Sequence, residues 1–408
     1  MPQPTNEYSI ADREYMAEAI RLANKGRYTT SPNPRVGCVL VNNDKIVGRG
    51  FHLIAGDGHA EVNAINDAGV DAKGATAYVS LEPCSFTGRT GACVDALENV
   101  GIKRVVSAME DPNPKVAGQG HSRLLAQGIR VDVGLLSAEA SAINPGYIRR
   151  MQSGRPWLRC KMAMSVDGRT AMASGESQWI TGAAARQRVQ DMRAQSCALL
   201  TGIGTVLQDD PQLNIRAEQW GQPVLRQPDV VVVDSTLRLP VNARILQDSG
   251  EDKRLARSCL VACLSDAEAA RQSELKRLGA DLLLLPSDAD SARELALSKP
   301  PSAASDTAAR LSHSLNLDAL INQLGAREYN EVMVEAGPTL AGALLAMGLL
   351  DQLDIFVAGK LMGSDAQPLF TLPLEQMSEA KGLTISQISA IGDDWLMTCV
   401  LDNNDTSD

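Results

Sequence analysis

His59 and Glu61 form a His-Ala-Glu triplet, and Cys84 follows a proline in the stretch Leu81–Cys93, LEPCSFTGRTGAC. One imidazole and two thiolates, from His59, Cys84 and Cys93, make three ligands for zinc. They leave its fourth tetrahedral position open to water, as in a catalytic rather than a structural site. Zinc in such a site supplies hydroxide near neutral pH. Glu61 is then not needed as a ligand and is free to move a proton as a general acid–base. His-x-Glu followed by Pro-Cys is the pattern by which zinc sites remove an amino group from a pyrimidine-like ring. Each part also has a plainer meaning. A His-Ala-Glu triplet often just begins a surface helix, and a buried cysteine is often a small apolar core residue. The second cysteine comes nine residues after the first instead of at C-x-x-C spacing. Either this is a metal site with an enlarged loop, or it is two ordinary cysteines near a turn.

The elements that would hold these residues can be read from the pattern. Residues 11–26 read as a helix with Met16, Ile20 and Ala23 at helical spacing. Residues 36–51 read as a hairpin around Asn-Asn-Asp. A helix from about His59 to Gly69 and a strand over 75–81 follow. Then come a helix over 91–100 and two further strands (KRVVSAM and IRVDVGL) around a short helix. This is an α/β layout of one domain. Residues 144–156, with two prolines, two glycines and several arginines, read as a linker. Strands and helices alternate again beyond it, with DVVVVDS apolar enough to be buried on both faces. The Ser/Ala-rich stretch around a Pro-Pro, about 286–315, reads as a surface insertion.

Several stretches of the first half go beyond a generic pattern: SPNPRVGCVLV (31–41), G-x-H at 50–52, HAEVNA (59–64), YVSLEPCS (78–85), GRT with Cys93, and DPNPKVAGQG (111–120). Together they closely resemble the deaminase half of the RibD family of riboflavin-biosynthesis enzymes, whose second cysteine also stands nine residues after the first. The resemblance implies a cytidine-deaminase-like domain over 1–148, zinc on His59, Cys84 and Cys93, Glu61 as proton carrier, and Asn33 touching the substrate ring. The chain departs from the family pattern at Phe86, where a histidine is usual, and at Gly91-Ala92, where two prolines are usual. Arg89 in the same loop is either a phosphate contact or a solvated surface arginine.

The second half has no G-x-G-x-x-G dinucleotide fingerprint and no P-loop. EAGPTLAGALL (335–345) is a strand, a small-residue turn and a helix start. Backbone N–H groups there can hold a pyrophosphate, and an ordinary turn looks the same. KMAMSVDGRTA (161–171), SQWIT (177–181), RAQSCALLTGIGTVLQDDPQLNIR (193–216), VVVDS (231–235) and KLMGSDA (360–366), taken with that turn, resemble the reductase half of the same family. The resemblance implies a dihydrofolate-reductase-like domain over 149–408 that uses NADPH to reduce a ribosyl side chain to ribityl. It implies cofactor contacts from Ala163, Trp179, Thr205, Asp209, Ser235 and the turn Gly337, Pro338, Thr339, Leu340, Ala341, Gly342 and Ala343. Substrate contacts follow for Ser177, Arg193, Leu213, Arg216 and Glu335, with Lys161 and Asp167 assisting. Two arginines suit a phosphate. Leu213 and Trp179 have the alternative of being core residues. The implied first step is deamination of 2,5-diamino-6-(5-phosphoribosylamino)pyrimidin-4-one. One zinc per chain and association through the reductase halves are further implications.

The whole chain sets outer bounds. Its 408 residues suit two or three domains. A net charge of −10 and an aromatic share of 3 % argue against a nucleic-acid partner. That weighs against a nucleic-acid deaminase, while a non-catalytic scaffold built on a degenerate site remains the other class of protein to separate. Eight scattered cysteines suggest a reducing compartment rather than a disulfide framework. The N-terminus lacks a signal pattern, and no apolar run reaches the roughly 18 residues of a membrane span. A cytoplasmic location is the expectation. Cys259 and Cys263 are expected to pack in a core, as is Cys38, and His121 and His313 to lie on the surface.

Overall fold

The computed structural model describes residues 8–86, 91–247, 255–288 and 314–401. Arg89, His313 and most of the expected insertion lie outside the described residues. The chain divides into two compact units, Met1–Arg155 and Pro156–Asp408.

The first unit begins with helix α1 (Ile10–Ala23), capped by Ser9, whose hydroxyl accepts the Asp12 N–H while the Asp12 carboxylate accepts the Ser9 N–H. Strands β1 (Gly37–Asn42) and β2 (Lys45–Phe51) form the expected hairpin. Its turn residues, Asn43 and Asp44, both take positive φ, which short polar side chains tolerate. Helix α2 (Ala60–Ala68), β3 (Thr76–Val79), α3 (Cys93–Val100), β4 (Arg104–Ser107), α4 (Gln119–Ala126), β5 (Arg130–Val133) and α5 (Ser137–Ala142) follow. The sheet order is β2-β1-β3-β4-β5, antiparallel at the hairpin side and parallel from β3 to β5. Alternation along β1 builds two cores. Cys38 and Leu40 join Ala60, Ala64 and Leu97 on one face, and Val39 and Val41 join Met16, Ala19 and Ile20 on the other.

The stretch read as a linker is a helix instead, α6 (Pro145–Ser153). Proline and glycine stand at its ends rather than breaking it. Pro145 occupies the first turn, where no N–H is needed, and Gly154 closes it at φ 73°. Tyr147 is buried.

In the second unit, nine strands form one sheet. In chain order they are β6 (Trp157–Ser165), β8 (Ala198–Gly202), β9 (Asp229–Val233), β10 (Cys259–Leu264), β11 (Ala280–Leu285), β12 (Glu331–Val334), β13 (Gln352–Ala358), β15 (Thr384–Ile391) and β16 (Asp394–Val400). The spatial order is β11-β10-β9-β8-β12-β6-β13-β16-β15, parallel through β13 and antiparallel for the last two. Short strands β7 (Arg169–Ala171) and β14 (Gln367–Pro368) pair separately. Helices α7 (Ala183–Gln195), α8 (Ile203–Asp209) and α10 (Ala269–Arg277) cover one face. Helices α11 (Leu317–Ala326) and α12 (Pro338–Ala346) cover the other. Short α9 (Ala217–Trp220) lies after α8 in the chain. Cys259 and Cys263 sit four residues apart on β10, so both face the same core.

Helix α2 lies so close to β2 that side chains are excluded. A Cβ built on Gly50 would stand 2.1 Å from the Ala60 carbonyl oxygen, and one on Gly48 2.3 Å from that of Ala64. Glycine here sets the position of the helix that begins at His59. Gly50→Ala should push α2 outward, destabilise the chain by about 1–3 kcal/mol and weaken zinc retention. Urea unfolding and metal content check this, and an unchanged unfolding midpoint would contradict it.

Candidate functional site

In the first unit, the N-termini of two helices meet. His59 is the N-cap of α2, with Glu61 in its first turn, and Cys93 opens α3 behind the N-cap Ala92. Cys84 sits on the turn after β3 and is tied to α3 by two bonds: the Cys93 N–H donates to its Sγ (3.3 Å) and the Val94 N–H to its carbonyl (3.2 Å). The His59 Nδ1 lies 3.1 Å from the Cys93 Sγ and 3.5 Å from the Cys84 Sγ. The three donor atoms all fall within 4.8 Å of one another, the one such group of three among the described residues. Donors of one tetrahedral zinc, at roughly 2.0–2.3 Å from the ion, stand roughly 3.5 Å apart. This donor set therefore fits zinc through Nδ1 and the two sulfurs.

The electrostatics at Cys84 suit that use. A hydrogen bond from the Cys93 thiol, with His59 assisting, draws the Cys84 thiol down to about 5, while the Cys93 thiol, held by that same bond, is pushed up. The positive ends of two helices favour thiolates as well. Glu61 is buried, and burial, with the nearby Cys84, lifts its carboxyl to about 7.

His52, which the sequence shows only as part of a motif, stands beside His59. Its ring is buried and stands edge-on to His59, 5.2 Å between centroids. Its Nδ1 faces the Gly58 carbonyl at 3.2 Å and its Nε2 faces the Asn33 side-chain amide at 3.1 Å. Burial lowers its pKa, so the ring is neutral near pH 7. Asn33 is thus brought beside the metal ligands through His52. Phe86 is half exposed just beyond Cys84.

The motif DPNPKVAGQG is held by Glu82. This buried carboxylate accepts N–H groups from Asp111 (3.0 Å), Gly118 (2.9 Å), Gly120 (2.7 Å) and His121 (3.3 Å). His121 was expected on the surface. It is buried, with its Nε2 3.0 Å from the Ser107 hydroxyl. The alternating strand and helix pattern gives no hint of this, because a single carboxylate draws the whole loop inward.

In the second unit a cavity of about 550 Å³ opens at the carboxyl ends of the parallel strands. Ala163, Trp179, Thr205, Asp209, Gly337 and Pro338 line it, as do Ser177, Arg193, Leu213, Arg216 and Glu335. Five cationic side chains (Lys161, Arg186, Arg193, Arg216 and Arg244) face two carboxylates, Asp209 and Glu335. That local excess in a chain of net charge −10 suits phosphorylated ligands. Glu335 is occupied: the Arg193 Nε and Nη2 donate to its two oxygens at 2.6 and 2.9 Å. The Arg193 Nη1 donates to the Asn214 carbonyl (2.9 Å). Lys161 is held below its usual pKa by burial. Trp179 is exposed, with the Arg186 guanidinium 4.8 Å from its ring centroid. Leu213 takes positive φ and buries its side chain in the core at the cavity wall.

Other expected contacts stand apart from the cavity lining. Ser235 follows β9, and its carbonyl accepts the Leu264 N–H. Ala341 packs in the core, and Gly342 is pressed against Thr371, whose carbonyl oxygen a Cβ would meet at 2.3 Å. Thr339, Leu340 and Ala343 also lie outside the lining, although the first turn of α12 leaves unpaired N–H groups at the Gly337 end. The Asp167 carboxylate accepts the N–H groups of Met362 and Gly363 instead of facing the cavity.

A zinc-type donor set on a deaminase-like unit, followed by a parallel-sheet unit with a phosphate-suited cavity, defines a two-part deaminase and reductase. Comparison with known families agrees. Residues 9–109 match the cytidine and deoxycytidylate deaminase zinc-binding region, and residues 156–397 match the RibD C-terminal domain. The chain is 45 % identical to the Escherichia coli riboflavin biosynthesis protein RibD over 94 % of its own length and 98 % of that protein's. It is 41 % identical to the Haemophilus influenzae RibD over 96 % and 98 %. The solved structure of Acinetobacter baumannii RibD is similar at a TM-score of 0.80, with 38 % identity over 96 % of this chain and 99 % of that one. The chain belongs to the RibD family and is a bifunctional deaminase and reductase of riboflavin biosynthesis.

Cys84→Ser and Cys93→Ser should each abolish zinc binding, so that one metal ion per chain in the wild type falls to none by elemental analysis. Retention of zinc in either variant would remove that cysteine from the ligand set.

Proposed function

We propose that the first unit hydrolyses the 2-amino group of 2,5-diamino-6-(5-phosphoribosylamino)pyrimidin-4-one, and that the second reduces the ribosyl side chain of the product with NADPH. A related Thermotoga maritima protein of solved structure, 28 % identical with a TM-score of 0.77, is described as a diaminohydroxyphosphoribosylaminopyrimidine deaminase/5-amino-6-(5-phosphoribosylamino)uracil reductase. The observation that carries the reading is the meeting of His59, Cys84 and Cys93 at the helix start that bears Glu61. One zinc ion bound there supplies a hydroxide nucleophile near neutral pH. Glu61 takes up a proton at its carboxylate and delivers it to the departing nitrogen, so that an amine and water become a carbonyl and ammonia. Asn33 orients the ring, with His52 holding its amide.

In the second unit, NADPH supplies the hydride. Two hydrogen bonds fix the Arg193–Glu335 pair, and Arg216 and Arg244 offer charge to phosphate. Trp179 would wall the nicotinamide end, and the Gly337–Pro338 start of α12 would offer N–H groups to the cofactor's phosphates. The division of labour follows the two compact units. None of the eight cysteines is joined in a disulfide, which supports a reducing cytoplasmic setting. No described helix is long and apolar enough to cross a membrane.

Two experiments test this reading. Incubation with the diaminopyrimidine and NADPH should release ammonia and consume NADPH in equal amounts. Glu61→Gln should lower ammonia release at least 100-fold, as the loss of a general acid–base typically does, while the deaminated intermediate is still reduced. Unchanged deamination would refute the role of Glu61.

The chain also associates with itself, in this reading, through the free sheet edge at β15. Ile385 and Ile388 are exposed on β15 and Trp395 on the adjacent β16, beside a strand edge of the kind natural proteins usually protect. Ile388→Asp should convert the assembly to monomers by light scattering. A wild type that is already monomeric would dismiss the interface.

A further inference from the structure

The first turns of α6 grip the loop that carries Asn33 from both sides. The buried Asn144 side chain reads the main chain of Arg35 as a neighbouring strand would: the Arg35 N–H donates to Oδ1 and Nδ2 donates to the Arg35 carbonyl, both at 2.8 Å. The Arg35 guanidinium returns to the Ile143 carbonyl at 2.5 Å. On the other side of Asn33, the Arg150 guanidinium donates to the Pro32 carbonyl at 3.0 Å. The same helix reaches a second loop beside the site. The Tyr147 hydroxyl lies 3.1 Å from the Asp111 carboxylate, and the Asp111 N–H is bound by Glu82, two residues before Cys84.

None of these α6 residues faces the metal ligands, and nothing in the mechanism uses them. Yet the carbonyl one residue before Asn33 and the peptide two residues after it are both fixed from α6, leaving the Asn33 side chain only its link to His52. A loop held at both ends presents its amide at one place, which lowers the cost of ordering it when a ring binds.

We propose that Asn144 is a positioning residue of the deaminase site, the centre of a brace through which α6 sets the substrate-binding Asn33 loop. This rests on the reading of Asn33 as a ring contact. Losing two hydrogen bonds that pin a loop weakens substrate binding more than chemistry, because the zinc donors stand on other elements.

The test uses the full chain, with ammonia release, zinc content and NADPH consumption on the deaminated intermediate measured side by side. Asn144→Ala should raise the deaminase KM roughly tenfold, the scale of one net hydrogen bond or two. Its kcat should stay within about twofold, zinc at one per chain, and the reductase rate unchanged. Asn144→Asp, which keeps the acceptor for the Arg35 N–H, should fall between. Arg150→Ala should shift KM the same way by about threefold, and it carries the test alone if Asn144→Ala does not fold. An unchanged KM in a variant that retains zinc overturns the brace, as does a fall in kcat that follows zinc loss. Asn33→Ala is the separate control: if it leaves deamination unchanged, the Asn33 reading fails and the brace with it. If it impairs deamination while Asn144→Ala and Arg150→Ala do not, only the brace fails.

Discussion

Two thiolates and a carboxylate gathered beside one imidazole, with Cys93 and Glu61 buried, are unfavourable unless positive charge meets them. In this chain the N-terminal ends of α2 and α3 provide part of it, because His59 and Cys93 begin those helices. The site exists only where these two ends converge, and much of the first unit follows from that demand. Glycines on β2 let α2 approach within backbone contact. The Cys84 turn is fastened to α3 through its own sulfur and carbonyl. Glu82 then gathers four N–H groups of the next loop against the same turn.

The second unit solves the opposite problem. Its cavity must attract anions in a chain that is acidic as a whole. A free Glu335 would repel them, but Arg193 claims both of its oxygens, and the pair becomes a fixed neutral wall. The remaining cations then act on ligands rather than on each other's counter-ions. Breaking such a pair on one side leaves an uncompensated charge, which costs more than the pair is worth intact.

How much of this could be read beforehand depended on whether a residue's partner was near in sequence. The gathering of His59, Cys84 and Cys93, helix α1 and the β1–β2 hairpin rest on spacing and turn chemistry, so they are legible in the sequence. The cavity residues came through resemblance and not through any local signal, and Leu213 shows why. Its positive φ and its core burial are properties of the fold around it. Helix α6 is hidden in the sequence because Pro and Gly signal loops in composition, whereas here they mark the start and stop of a helix. Its work is done through Asn144 and Arg150 on partners more than 100 residues away. The burial of His121 is hidden for the same reason, since Glu82 holds its N–H from 39 residues off. The closing hairpin of β15 and β16 gives only a weak signal in the sequence, its outer member being exposed nearly throughout.

The strand order has a consequence for how the molecule is made. Every pairing of the five-stranded sheet is complete once Arg155 has been synthesised, so the first unit can close while the rest of the chain is still on the ribosome. The larger sheet cannot. Its interior strand β6 is the first element of the second unit to emerge, but both of its neighbours, β12 and β13, lie more than 160 residues further on. An apolar strand that must wait so long for its partners folds slowly and stays exposed to wrong ones. The order of the chain therefore puts the locally paired unit first and leaves the sheet whose partners are far apart in sequence to close last.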